Sequence, residues 1–206
     1  SDGGCSYLLT SDGADIKQIL LKKEALFFEL YHIINYYAFE LRFGDYQYLP
    51  FKSYQVLCGK IYESNDVVNR KTMSDIVDSY MKDNFNVEGS FSEVCITRGI
   101  AWLKQLVPNV FDENEVFSCR RLGYVESLVF SVDCLYRLKK IPYGDPVFLD
   151  RDVRRELCVS TLIDYKYLEE SLAEAVVRFS HKFELKYNIS GPYMVLRDSI
   201  SIGEFK

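Results

Sequence analysis

Apolar residues recur along this chain mainly at steps of three and four, the pattern of helices that bury one face. Between 14 and 43, Ile16, Leu20, Phe27, Leu30, Tyr31, Ile34 and Leu41 form one stripe. Ile19, Leu26, Ile33 and Tyr37 add a second stripe beside it. A surface that wide predicts a central helix covered on several sides. Gly44 follows as a stop signal. Tyr54, Leu57, Cys58 and Ile61 predict a helix that begins at Pro50 and ends near Asn65. Thr72-Met73-Ser74-Asp75 and Ser90-Phe91-Ser92-Glu93 fit capping boxes, in which two side chains satisfy the open amides of a helix start. The first precedes Ile76, Val77, Tyr80 and Met81; the second precedes Val94, Cys95, Ile100, Leu103 and Leu106, with Pro108 as the stop.

Asp112-Glu113-Asn114-Glu115 places negative charge where a helix dipole favours it. The spacing of Val116, Leu122, Val125, Leu128, Val132 and Leu135 then predicts a helix over 112–140, closed by Arg137, Lys139 and Lys140. Pro142-Tyr143-Gly144-Asp145-Pro146 reads as a rigid loop. A last helical region spans 150–187 with a break near Ser160; Leu168, Leu172, Val176, Phe179 and Phe183 face inward. Gly191-Pro192 ends it. Short strands are expected near 5–9, 193–196 and 199–202. The fold class is therefore mainly α: one domain over 1–206, a bundle of about six to seven helices with a small terminal β element.

Composition changes this picture little. Of 206 residues, 48% are hydrophobic, enough for a core that needs no metal or disulfide. Sixteen Tyr and fourteen Phe supply much of that core. A net charge of -5 without a long basic run disfavours a binder of nucleic acid. The six cysteines have wide, irregular spacings and no CxxC pair, so they predict reduced thiols in a cytoplasmic or similar compartment, and no zinc site. The sequon Asn188-Ile189-Ser190 points weakly the other way. No stretch reaches the length of a transmembrane helix.

Chemistry-bearing patterns are sparse. Neither GxGxxG nor GxxxxGK[ST] nor GxSxG occurs, which removes the usual phosphate loops and the nucleophile elbow. There are two histidines, and His32 lies in the most apolar segment. His181 is a candidate partner for a cysteine brought near by folding. Adjacent carboxylates such as Glu169-Glu170 point in different directions on a helix and do not form an acid/base pair. Two groups remain as candidate binding residues. The first is basic: Arg137, Lys139, Lys140, Arg151, Arg154 and Arg155, edged by Tyr136 and Tyr143, brought together if the flanking helices form a hairpin. It suits an acidic partner. The second is aromatic: Tyr36, Tyr46, Tyr48, Phe51 and Tyr54 around the loop at Asp45. The reading that follows is a protein-binding, regulatory or adaptor domain without a cofactor. The alternatives are an enzyme whose site is assembled from dispersed His, Cys and carboxylate groups, and a nucleic-acid module using the 137–155 patch.

Overall fold

The structure is a computed structural model that describes residues 11–43, 49–64, 67–87, 89 and 92–206. Among these residues there are eight α-helices and one three-stranded antiparallel sheet, so the chain is mainly α with a small β element. The expected strand at 5–9, the Gly44 stop, Tyr46 and Tyr48 lie outside the described residues.

The predicted helix over 14–43 is two helices. α1 (Ser11–Lys22) and α2 (Glu24–Ala38) are separated at Lys23, whose φ of -142° and ψ of 63° leave the helical region. A π-helical turn, Phe39–Phe43, continues α2. The second apolar stripe is the more deeply buried: Ile19, Leu26, Ile33 and Tyr37 are at most 1% exposed, whereas in the first stripe Leu30 is buried, Ile16, Phe27, Ile34 and Leu41 are half-buried and Leu20 is 39% exposed. α3 (Leu49–Glu63) follows. α4 (Arg70–Phe85) starts earlier than the Thr72 box predicts, because Asn69 is the cap: its side chain accepts from the Thr72 amide at 3.0 Å. α5 (Glu93–Leu103) begins later than the Ser90 box predicts: Ser92 is the cap residue, it makes no side-chain cap bond, and Glu93 is the first helical residue instead of the third.

The helix expected from Asp112 begins only at Val125. Asp112 Oδ1 accepts from the amides of Asn114 and Val116, both at 2.8 Å, which builds a turn instead of a helix cap. Glu115 closes that turn at a φ of +61°, with its carboxylate held by Arg70 at 2.8 Å and Lys104 at 2.7 Å. Gly123 is required here: a Cβ would sit 1.9 Å from the Val107 carbonyl oxygen. α6 (Val125–Lys139) is then the centre of the fold, since every residue from Val125 to Tyr136 is buried. Lys140, in the left-handed region, terminates it.

The loop after α6 contains β1 (Pro146–Phe148). α7 (Arg151–Thr161) is capped by Asp150, which accepts from Val153 N at 2.8 Å, and ends at Leu162 in the left-handed region. α8 (Leu168–Arg178) stops well before Tyr187. β2 (Phe183–Asn188) takes the rest of the predicted helix, and β3 (Gly191–Leu196) pairs with both other strands in the order β1-β3-β2. Phe183 is fully buried as expected, but from a strand. The segment 199–202 forms no strand; a 3-10 turn occupies Ile202–Phe205. No helix among the described residues is long and apolar enough to cross a membrane.

Candidate functional site

The two histidines have opposite surroundings. His32 on α2 is 3% exposed, and its Nδ1 lies 2.9 Å from the Tyr54 hydroxyl on α3. Burial, aided by the positive charge of Arg120, lowers its pKa from 6.5 to about 3. Such an imidazole stays neutral through the physiological range and does not shuttle protons. Beside it, Glu29 and Arg120 form an internal ion pair with both side chains 1% exposed. Arg120 donates to Glu29 Oε1 at 2.5 Å, to Glu29 Oε2 at 2.6 Å, and to the carbonyls of Val107 and Thr161 at 3.0 and 3.1 Å. The Val107 amide donates back to Glu29 at 3.1 Å. This network pins the irregular segment before α6 to α2 and α7. Every charge in it is taken by the protein itself.

Three of the basic residues have carboxylate partners in the fold. Arg154 donates to the Leu149 carbonyl at 2.8 Å and pairs with Glu169 at 2.6 Å. Arg155 pairs with Glu63 on α3. Arg137 lies 3.7 Å from Asp133, a carboxylate that also accepts from the Tyr143 hydroxyl at 2.8 Å and the Ile200 amide at 3.1 Å. Tyr143 stacks on Tyr136 with ring centroids 5.9 Å apart. Lys139, Lys140 and Arg151 are exposed and have no ion-pair partner among the described residues. The loop between them is occupied by β1 on the sheet, so it does not act as a simple hairpin turn.

The aromatic group is brought together differently from its sequence order. Tyr36 is buried at 4% exposure and belongs to the core. Phe51 and Tyr54 instead line a cleft of about 240 Å³ with Tyr31, Arg98 and Trp102. Three helices build it. α2 contributes Tyr31, α3 contributes Phe51 and Tyr54, and α5 contributes Arg98 and Trp102. Gly99 sets their spacing, because a Cβ there would meet Leu57 at 2.8 Å and separate α5 from α3. Trp102, the chain's single tryptophan, is 41% exposed. It stacks on Tyr31 at 4.8 Å and touches Phe28 at 5.6 Å; Tyr31 in turn stacks on Phe27 at 5.6 Å. Arg98, exposed at the rim, has no ion-pair partner among the described residues. Sequence reasoning reached Phe51 and Tyr54 but missed Arg98 and Trp102. Their i,i+4 spacing on a face with exposed Val94 was the available signal.

Two buried cysteines, Cys58 on α3 and Cys158 on α7, are not activated nucleophiles. Burial pushes the Cys58 thiol up to about 12 and Cys158 up to about 11, the opposite of an activated thiolate. Among the described residues, no three His, Cys, Asp or Glu side chains are grouped to hold a metal ion. Comparison of the chain with protein-family models, with curated proteins and with solved structures gives no match, so the reading of function rests on this geometry.

Proposed function

We propose that the chain is a protein-binding module whose docking surface is the aromatic cleft between α2, α3 and α5. The observation that carries this reading is the combination of a part-exposed Trp102, stacked on Tyr31, with Arg98, which has no ion-pair partner among the described residues, at the rim of the same cleft. Trp, Tyr and Arg are enriched among the residues that dominate binding energy at protein interfaces: the two rings bury large area with few rotors lost, and the guanidinium presents a planar fork of donors to a carboxylate. At about 240 Å³ the cleft is smaller than a typical small-ligand pocket and accommodates one large apolar side chain. Arg98 supplies the charge that selects its neighbour. The occupant is therefore a partner segment that inserts an apolar side chain and presents a carboxylate to Arg98.

The exposed cations Lys139, Lys140 and Arg151 add a secondary contribution. They favour an acidic partner and raise its rate of encounter at low salt. The arginines 154 and 155 contribute less, since each already has a carboxylate. The experiment is affinity capture from the native host with the wild-type chain and with Trp102→Ala and Arg98→Glu. A partner retained by the wild type and lost by both variants, at unchanged melting temperature, supports the reading. A partner retained equally by all three rejects it.

A further inference from the structure

Beside the break between α1 and α2, a second cleft of about 510 Å³ has the size of a small-ligand site. Its nitrogen-bearing side chains come from three parts of the chain: Lys23 at the break between α1 and α2, Arg178 in the last turn of α8 with His181 in the turn after it, and Lys206 after the 3-10 turn Ile202–Phe205. Two carboxylates also line it, and each has a cation partner, while Glu126 Oε2 is buried without a hydrogen bond. Glu126 is 3% exposed and accepts from Arg178 at 2.5 Å; Glu204 pairs with Lys182 at 2.9 Å and accepts from the Ser201 amide at 2.7 Å. Lys206 is engaged with Asp15.

Lys23 Nζ donates to the Phe205 carbonyl at 3.0 Å and has no carboxylate partner among the described residues, so two of its three N–H donors are open. His181 is exposed and makes no hydrogen bond among the described residues. Arg178 uses one nitrogen on Glu126, and the fork of its guanidinium has further donors. The floor between them is fixed and apolar. Phe179 and Phe205 are 7% and 2% exposed and meet edge to face at 6.0 Å. An apolar floor lowers the local dielectric and strengthens each charge above it.

We infer that this cleft binds the phosphoryl group of a small molecule. Lys23, Arg178 and His181 donate to its oxygens, and the body of the ligand covers Phe179 and Phe205. Glu126 is a positioning residue: its carboxylate, at the start of α6 where the helix dipole favours it, holds the Arg178 guanidinium over the cleft. Glu126 and Glu204 on their own would repel an anion, and each is offset by a cation, Arg178 and Lys182 respectively.

With two histidines in the chain and His32 buried, proton–carbon NMR of the imidazole groups reads this site directly. The probe is inorganic phosphate, compared with acetate and with chloride at equal ionic strength. Phosphate is expected to shift the His181 signals saturably while those of His32 stay still. Loss of one charge-assisted hydrogen bond in Lys23→Gln should weaken the phosphate titration by about tenfold. His181→Gln, a change at an exposed side chain, should weaken it too, followed by the one-bond amide signals of Phe179 and Phe205. Equal shifts with chloride, equal response to acetate, or an unchanged titration in folded Lys23→Gln would each overturn the assignment. Because none of the three donors touches the aromatic cleft, the outcome is independent of the protein-docking reading.

Discussion

Acid should destabilise this fold through His32 well before most carboxylates protonate. The imidazole is neutral and buried when folded, with its pKa lowered from 6.5 to about 3, chiefly by burial and then by Arg120. In the unfolded chain it takes up a proton near its ordinary value. Between those two values the unfolded state binds more protons, so stability falls as pH falls. The contribution is complete above pH 6.5 and is lost as the pH drops toward the folded value. Each pH unit in that window costs about 1.4 kcal/mol, so moving from pH 6.5 to pH 5 costs about 2 kcal/mol. Other groups titrate in the same range. Burial raises Glu156 and Asp133, and those two favour the fold as pH falls. The clean quantity is therefore the difference between wild type and His32→Gln, which keeps a polar group beside the Tyr54 hydroxyl but carries no titrating proton. Urea unfolding at pH 7.5 and pH 5 should show that difference shift by about 2 kcal/mol in favour of the variant at the lower pH. A difference that stays constant would mean that the imidazole is protonated in the fold, or that water reaches it.

Three further outcomes follow from the packing. Glu29→Leu should cost about 3–5 kcal/mol by leaving the Arg120 guanidinium buried without its carboxylate, and Arg120→Leu added to it should restore part of the loss in urea titration. Leu128→Ala, at the fully buried middle of α6, should cost about 2–5 kcal/mol; a loss under about 0.5 kcal/mol would show that the site collapses without a cavity. Glu156→Gln should stabilise the chain at pH 7 and lose that advantage below the ordinary glutamate value of 4.5, because a carboxyl raised by burial supports the fold only while protonated; a variant less stable than wild type at pH 7 would show that its contacts with Tyr36 and Tyr37 outweigh burial.

Helix dominance and the helices at Pro50, Thr72 and Glu93 were legible because each combines an apolar stripe with a local start signal. The segment over 112–124 was not, because its signals have two uses. Asp112 and Glu115 fit a helix start, but Arg70 and Lys104 lie outside the local window and draw Glu115 into a turn. Phe183 and Leu185 satisfy a helical or an alternating pattern for too short a run to decide; pairing with β3 decides it. The break at Lys23 carries no proline or glycine to announce it, and the Lys23 side chain bonds the distant Phe205 carbonyl. At the candidate site, Phe51 and Tyr54 were legible as rings near a loop. Arg98 and Trp102 were not, since they approach those rings only when Gly99 lets α5 close on α3. The basic residues were legible as a group in sequence, while the carboxylates that engage them, Glu63 and Glu169, come from α3 and α8.

The most direct measurement on the central claim is site-specific photocrosslinking from within the aromatic cleft. A benzoylphenylalanine in place of Phe51 keeps a ring in that position and reacts with whatever occupies the cleft. The account predicts one protein adduct in the native host, through a segment that pairs an apolar side chain with a carboxylate, and loss of that adduct when Arg98→Glu is added. No adduct in a folded chain, or an adduct unaffected by Arg98→Glu, would contradict it.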